Sequence, residues 1–451
     1  MLKSNIAWMK KNVPSDLKVW KGMIQDIDWS QVAAKTKLSL QRDKDRITAE
    51  FKEFAAMDTS AKIDWLMNGD RHLGYLYKKD AIAFARREWK GLKSVGYDFV
   101  GWLKIWGGML NMVMKDPMSI MLAVFEYHWF ASYLATPAVV DRSVFGRRGK
   151  LLQADFDMWV AITHWAEDLI ANLIMADAKI GGNQKINKRI IMFDEMTMAQ
   201  MMAGFPNLLG IPYQMIPVFM VSEMDQLTLI PYIDAIESYG LPSDTCPLPT
   251  AECGCAVKDE YPMCGQGFIA SSMPCDGSVM ATSFQDRRFS KFMPSYPLCM
   301  PVRYDDEDTT EMAAADMKDC IHWVEGLTGE TWNWDTYFAT MEKMNECTRL
   351  EMEKWEINKT HYPQLVGSSF ELFRKWNYEM DGGIDPRILK TFKKVNKIML
   401  KAYERKEEAW PGKMKYRAIV WSCPAHYYAN FSNWLANCWG VNVLVEMESL
   451  N

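Results

Sequence analysis

A chain of 451 residues with 49% hydrophobic and 13% aromatic side chains has room for two to four domains and a large core, and its composition excludes a disordered protein. A net charge of −5 and a pI near 5.8 leave no electrostatic footprint for nucleic acid. Met1 to Lys11 shows no apolar core followed by a cleavage site, so no export signal is read and a cytoplasmic location is expected. Ten cysteines in such a setting argue for reduced thiols, metal binding or chemistry rather than a disulfide frame. The 34 Met and 19 Trp are oxidisable and compatible with an oxygen-poor environment.

Residues 1–186 read as a helical N-terminal extension. Ser15 precedes a helix with the stripe Leu17, Trp20, Ile24 and Ile27, and another begins near Asp155 with Trp159, Ile162, Ala166, Leu169 and Leu173. These spacings of three and four are those of an amphipathic helix. Pro117 to Val140 is mostly apolar but carries Glu126 and His128. A transmembrane span needs about 20 apolar residues with few or no charges, so a buried or interface helix is expected there rather than a membrane-associated one. Gly181-Gly182-Asn183 breaks the pattern and places a boundary near 186.

Residues 187–330 alternate between strand and helix. Arg189–Phe193, Gly267–Met273 and Pro297–Tyr304 read as strands. Helices are expected up to Gly204, over Pro231–Tyr239, over Gly277–Arg288, and from a cap at Asp308 to about Gly326. Such alternation predicts an α/β fold with a doubly wound, flavodoxin-like parallel sheet. Residues 331–412 form a helical region. Asp335–Lys359 carries Phe338, Met341, Met344, Met352 and Trp355 on one side, and Phe370–Met380 and Pro386–Glu408 follow. Residues 413–451 begin a second α/β domain: strand Tyr416–Trp421, helix Pro424–Ala436, strand Val441–Glu446. A lone β-α-β unit has no core of its own. This end is therefore expected to be an incomplete domain that exposes strand edges and needs a partner for stability.

Five cysteines, at 246, 253, 255, 264 and 275, fall within thirty residues. Cys275 closes the apolar run from Gly267, so it sits where open α/β sheets hold ligands, at a strand's carboxyl end. Gathered thiolates suit a soft metal or an iron–sulfur cluster. Cys246 and Cys275 are one candidate pair. Cys253, Cys255 and Cys264 compete as a second ligand set, and four cysteines from 246 to 264 are a candidate zinc site, although paired C-x-x-C knuckles are lacking. Cysteines 299, 320, 347 and 438 are expected to be buried small hydrophobes.

The surrounding residues sharpen this. Met273-Pro-Cys275-Asp276 after an apolar strand, Cys246 after a helix and a polar turn, Trp323-Val-Glu-Gly-Leu-Thr-Gly329, and the helix with Asn345 and Arg349 together resemble the family of 2-hydroxyacyl-CoA dehydratases and benzoyl-CoA reductases. The resemblance runs from about 187 to the end, and residues 1–186 have no counterpart in it. It implies a 4Fe–4S cluster held by three cysteines, with Cys246 and Cys275 as two of them. The family's third cluster cysteine belongs to its second α/β domain, most of which is expected to fall beyond Asn451; Cys423, in Trp-Ser-Cys-Pro-Ala-His426, is a substitute candidate that falls early in that domain.

The implied partners are a homologous second subunit, a separate ATP-hydrolysing iron–sulfur activator and an acyl-CoA substrate. The chain has no Gly-x-x-x-x-Gly-Lys-Ser/Thr loop, which agrees with ATP being handled elsewhere. The implied reaction adds one electron to the thioester, giving a ketyl radical that expels the 2-hydroxyl. An acyl-CoA reductase subunit and a non-catalytic electron-transfer or assembly subunit are the alternatives. Asp276 either orients the loop or caps the following helix, capping being the plainer role. Ser271 and Ser272 are candidate hydrogen-bond donors near a cluster. His164 and His322 read as surface or satisfied core residues, and His426 is the one histidine of interest. No Ser–His–Asp set or HExxH motif points to a hydrolase.

Overall fold

The computed structural model describes residues 29–68, 91–144, 147–180, 189–193, 198–213, 215–224, 228–272, 275–299, 307–365, 367–407, 415–420, 435 and 439–446. The expected helix after Ser15, the expected helix Pro424–Ala436, and Cys423, His426 and Cys438 all lie outside them. The chain divides into two compact units, one comprising residues up to 70 with 89–93, the other the remainder. The first holds α1 (Trp29–Ala56) and α2 (Thr59–Asn68). Asp58 Oδ1 accepts the Ala61 N–H at 2.8 Å at the start of α2, and the Phe54 and Trp65 rings lie 4.7 Å apart.

The second unit takes up α3 (Leu92–Lys115) from Ser94 onward, then α4 (Pro117–Glu126), a 3-10 turn (His128–Ala135), α5 (Thr136–Ser143) and α6 (Gly149–Ala176). The apolar stretch from Pro117 is thus broken rather than continuous. Asp116 caps α4 by accepting from the Ser119 N–H and hydroxyl, and Pro117 at the first position needs no partner for a missing N–H. No described helix is long and apolar enough to cross a membrane. α6 is buried along most of its length. Its tryptophans are tied across the unit, Trp159 Nε1 donating to Ser369 Oγ at 3.1 Å and Trp165 Nε1 to Asp381 Oδ1 at 2.7 Å. One hydrophobic core accordingly runs from these helices through the sheet to the later helices.

The α/β part follows in the order β1 (Arg189–Phe193), α7 (Met198–Met202), β2 (Leu208–Pro212), a π-helical turn (Met215–Phe219), α8 (Met220–Met224), α9 (Ile230–Glu237), α10 (Pro247–Val257), β3 (Gly267–Ser271), α11 (Asp276–Phe289), β4 (Ser295–Leu298) and α12 (Glu307–Thr328). The four strands form a parallel sheet in the order β2-β1-β3-β4. β1 passes to β2 on one side and, through the later helices, to β3 on the other. Such a reversal is where open α/β sheets generally bind ligands, beyond the carboxyl ends of the two diverging strands, here β1 and β3. The α/β class with a parallel sheet is therefore as expected.

Several details differ from expectation. β4 starts at Ser295 and ends at Leu298; residues 300–306 lie outside the description. β2 was not foreseen, and neither was α10. Asp308 lies inside the first turn of α12 instead of capping it. The closing turn of α12 does have the expected form, since Gly329 adopts φ +71° just after Thr328, a left-handed stop open to glycine.

α13 (Trp334–Asn358), α14 (Ser368–Lys375), a π-helical turn (Trp376–Asp381) and α15 (Pro386–Glu404) come next, then the parallel pair β5 (Tyr416–Val420) and β6 (Val441–Glu446). The expected stripe on α13 is corrected. Phe338 and Met352 face solvent, while Met344 shares the buried face with Cys347, Glu351, Lys354 and Ile357. Two of these are charges with partners on α14, so periodicity of apolar residues alone selected the wrong side.

Candidate functional site

Cys246 and Cys275 occupy equivalent positions in two neighbouring helices. Each is the N-cap residue of its helix, Cys246 of α10 and Cys275 of α11. Their carbonyls accept the first helical bonds, from Thr250 N at 3.2 Å and Val279 N at 3.1 Å. Pro247 and Pro249 fall in the first turn of α10, where proline is tolerated because those N–H groups have no helical acceptor. Both thiols are exposed. A β-carbon built on Gly277 would lie 2.9 Å from Pro249 Cγ and 3.5 Å from Cys275 Sγ. The start of α11 therefore packs directly on the first turn of α10, three residues from Cys246.

The dipoles of two helix N-termini lying side by side favour negative charge, with Leu248 the one N–H donor among Pro247, Leu248 and Pro249 of α10. Asp276 adds an exposed carboxylate in the first turn of α11. The expectation that Asp276 caps this helix is corrected, because Cys275 holds the cap position and Asp276 follows it. Ser278, buried at the start of α11, places its hydroxyl 3.7 Å from Cys275 Sγ. Ser271 is buried at the end of β3 and its carbonyl meets Thr282 Oγ1 at 3.5 Å, while Ser272 donates its N–H to the Leu298 carbonyl.

The Cys253-Gly254-Cys255 step has a different purpose from chelation. It lies within α10, where a β-carbon on Gly254 would sit 1.9 Å from the Tyr232 carbonyl oxygen of α9. Only glycine lets α9 and α10 cross this closely, and the flanking thiols fill the space beside the contact. Burial pushes the Cys253 thiol up to about 12, with Glu252 adding to it. Burial also drives Cys255 and Cys264 well above the ordinary thiol range. Cys264 Sγ lies 3.9 Å from Met192 Sδ. No group of three or more His, Cys, Asp or Glu among the described residues is placed to hold a metal ion, so the competing set Cys253, Cys255 and Cys264 and the four-cysteine zinc site are not assembled there.

Cys320 and Cys347 are buried as expected, but Cys299 is exposed. It follows β4, outside the sheet's packed layers, where its N–H donates to Asp316 Oδ2 at 2.7 Å. His164 meets the Lys104 carbonyl at 2.9 Å and His322 pairs with Glu325. A cavity of about 420 Å³ lies at the β2 edge, lined among others by Trp165, Phe193, Phe205, Lys343 and Asp381; no cysteine borders it.

A prediction follows from the close approach at Gly277. Gly277→Ala forces a β-carbon onto a rigid proline ring, and overpacking of this kind costs about 1–3 kcal/mol. The expected result is a lower melting temperature together with altered reactivity of Cys275 towards a thiol reagent. Unchanged values for both would show that α10 and α11 do not meet in this way.

The exposed Cys275 follows β3 beside the reversal in strand order, the place where open α/β sheets generally bind ligands. Residues 226–450 match the family model described as 2-hydroxyglutaryl-CoA dehydratase, D-component. Through this stretch the chain belongs to the 2-hydroxyacyl-CoA dehydratase family. The match takes in both candidate cysteines, β3 to β6 and the helices between, and leaves β1 and β2 outside. No curated protein sequence matches the chain.

Proposed function

We propose that the chain is the iron–sulfur subunit of a 2-hydroxyacyl-CoA dehydratase-type enzyme, a hydro-lyase, with Cys246 and Cys275 as ligands to a 4Fe–4S cluster. The observation that carries this reading is the pair of exposed thiols at two adjoining helix N-termini, within the stretch that belongs to the family. The donor set fits such a cluster in kind: sulfur ligands, reachable from outside, in a field that favours anionic groups. Cys423 remains the proposed third ligand and lies outside the described residues.

When bound, the cluster supplies one low-potential electron to the acyl thioester, through which the 2-hydroxyl is expelled. The protein's own part is to present Cys246 and Cys275 and to fix their separation by seating Pro249 against Gly277. The Ser278 hydroxyl steadies the Cys275 sulfur, and hydrogen bonds to ligand sulfurs tune a cluster's potential. An ATP-hydrolysing activator and a homologous second subunit complete this reading, with an acyl-CoA as substrate.

Anaerobic purification with iron and sulfide analysis tests it. Iron and acid-labile sulfide are expected in the native chain, lost in Cys275→Ala and Cys246→Ala, and retained in Cys320→Ala. If Cys275→Ala leaves the metal content unchanged, the ligand assignment is wrong.

A further inference from the structure

The cavity of about 420 Å³ at the β2 edge has no part in the cysteine site, and residues of the second unit alone line it. Its volume falls in the lower part of the roughly 300–1,000 Å³ range of small-molecule sites. The walls are aromatic and are held from behind. Trp165 of α6 meets the Trp376 ring at 4.2 Å, and Phe205 meets the Trp332 ring at 5.1 Å, both edge to face. Neither Trp376 nor Trp332 borders the cavity. Over β2, a β-carbon on Gly210 would lie 2.7 Å from Met202 Cγ and 2.9 Å from Phe193 Cε1, so these two side chains close tightly on the strand. Rings fixed by their neighbours in advance lose little freedom when a flat apolar body enters.

The polar lining is unevenly used. Asp168 Oδ1 accepts from Lys115 Nζ at 2.6 Å and Oδ2 from Arg387 Nη1 at 3.0 Å. Asp385 takes the rest of that guanidinium, Oδ1 accepting from Arg387 Nε at 3.0 Å and Oδ2 from Nη2 at 2.6 Å. Asp381 accepts from Trp165 Nε1 at Oδ1 and from the Asp385 N–H at Oδ2, both at 2.7 Å, and burial raises its carboxyl to about 7. Every carboxyl oxygen of the lining therefore has a donor already. Lys343 on α13 and Asn172 on α6 also border the cavity, and neither side chain has a partner among the described residues. Lys343 is exposed and Asn172 half-buried, so the donors left over stand on the solvent side of an apolar chamber. An ammonium with no carboxylate left to meet it is matched by an anion from outside, through a charge-assisted hydrogen bond. We propose that this pocket binds a small aryl monocarboxylate, its ring system among Trp165, Phe193 and Phe205 and its carboxylate on Lys343 Nζ and the Asn172 amide. The site is separate from the cysteine pair: β1 stands between β2 and β3 in the sheet, and no cysteine borders the cavity.

Isothermal titration calorimetry of the full chain with three naphthalenes of one shape tests this. 1-Naphthylacetate is expected to bind saturably at one site per chain. 1-Naphthylacetamide, which keeps the shape and loses the charge, is expected to bind at least tenfold more weakly. The cationic 2-(1-naphthyl)ethylamine is expected to give no detectable binding. Lys343→Met should weaken 1-naphthylacetate at least tenfold and leave 1-naphthylacetamide unchanged, with an unaltered circular dichroism spectrum because Lys343 is exposed. Cys275→Ala should bind 1-naphthylacetate as the native chain does, whatever its iron content. The proposal is overturned if the native chain does not bind 1-naphthylacetate, if the amide or the amine binds as tightly, or if Lys343→Met leaves the affinity intact. Loss of binding in Cys275→Ala would overturn it too, by placing the ligand at the cysteines.

Discussion

Arg374→Ala is expected to destabilise the protein by about 3–5 kcal/mol, the usual cost of leaving one member of a buried ion pair without its partner. Arg374 Nε pairs with Glu351 Oε1, and one turn along the same helices Lys354 Nζ pairs with Glu371 Oε1 at 3.2 Å. All four side chains are at most 5% exposed. Glu351 and Lys354 are three apart on α13, and Glu371 and Arg374 are three apart on α14, so the two helices meet through matched rows of charge. Aromatic rings cover the cations, the Phe370 ring centre 3.7 Å from Lys354 Nζ and that of Tyr378 4.8 Å from the Arg374 guanidinium. Burial holds the Glu351 carboxyl up at about 7 even though Arg374 and Lys354 pull it down. Desolvation therefore outweighs the attraction, and the pair fixes how α13 and α14 meet more than it adds stability. It follows that Glu351→Gln combined with Arg374→Met should recover most of the loss, since neither residue then leaves a buried charge. Denaturant midpoints of Arg374→Ala, Arg374→Met, Glu351→Gln and the Glu351→Gln/Arg374→Met double variant check this. An Arg374→Ala cost below about 1 kcal/mol, or additive costs in the double variant, would refute it.

The same helices show what a single sequence reveals and what it hides. β1, β3 and β6 were legible because each is a short, largely apolar run that includes β-branched or aromatic residues. The position of Cys275 at a strand end followed from β3 alone. α10 was hidden because Cys246-Pro-Leu-Pro249 reads as a loop, although proline in a first turn is also a signal for a helix start. β2 was hidden by Gly210 and Pro212 within it and by Pro206 just before it, residues that weaken a strand pattern. Cys253-Gly254-Cys255 suggested chelation because thiols are chemically conspicuous, whereas the residue with the structural task is the glycine between them. On α13, Phe338 and Met352 outvoted the correct face, since counting apolar residues cannot foresee charges buried in pairs. Ser278 and Gly277 had no sequence signal. Their relevance depends on Pro249 being brought to them by the packing of α10 on α11.

Glu167→Gln is expected to be more stable than the native chain at pH 8.5 and nearly equal to it at pH 5. Glu167 is buried on α6, and neither of its carboxyl oxygens has a hydrogen-bond partner among the described residues. Burial, with Asp168 next to it, raises this carboxyl from 4.5 to about 8, against the smaller pull of Lys115 and Arg387. Between these two values the folded chain keeps a proton that the unfolded chain has released. Stability linked to this group is therefore present in full below about pH 4.5 and is lost as pH rises through about 8. A shift of this size corresponds to a difference on the order of 3–5 kcal/mol at the alkaline end. Asp381, Glu351 and Asp155 are raised by burial to about 7, 7 and 6 and titrate in the same window, so the pH profile of the native chain alone cannot isolate Glu167. The difference between the two proteins can, because the other three groups are common to both. The glutamine keeps the volume of the protonated acid and cannot ionise. Melting temperatures at pH 5 and 8.5 should thus diverge only at the higher value. A constant gap across both would mean that Glu167 keeps one protonation state throughout, paired by a group that lies outside the described residues.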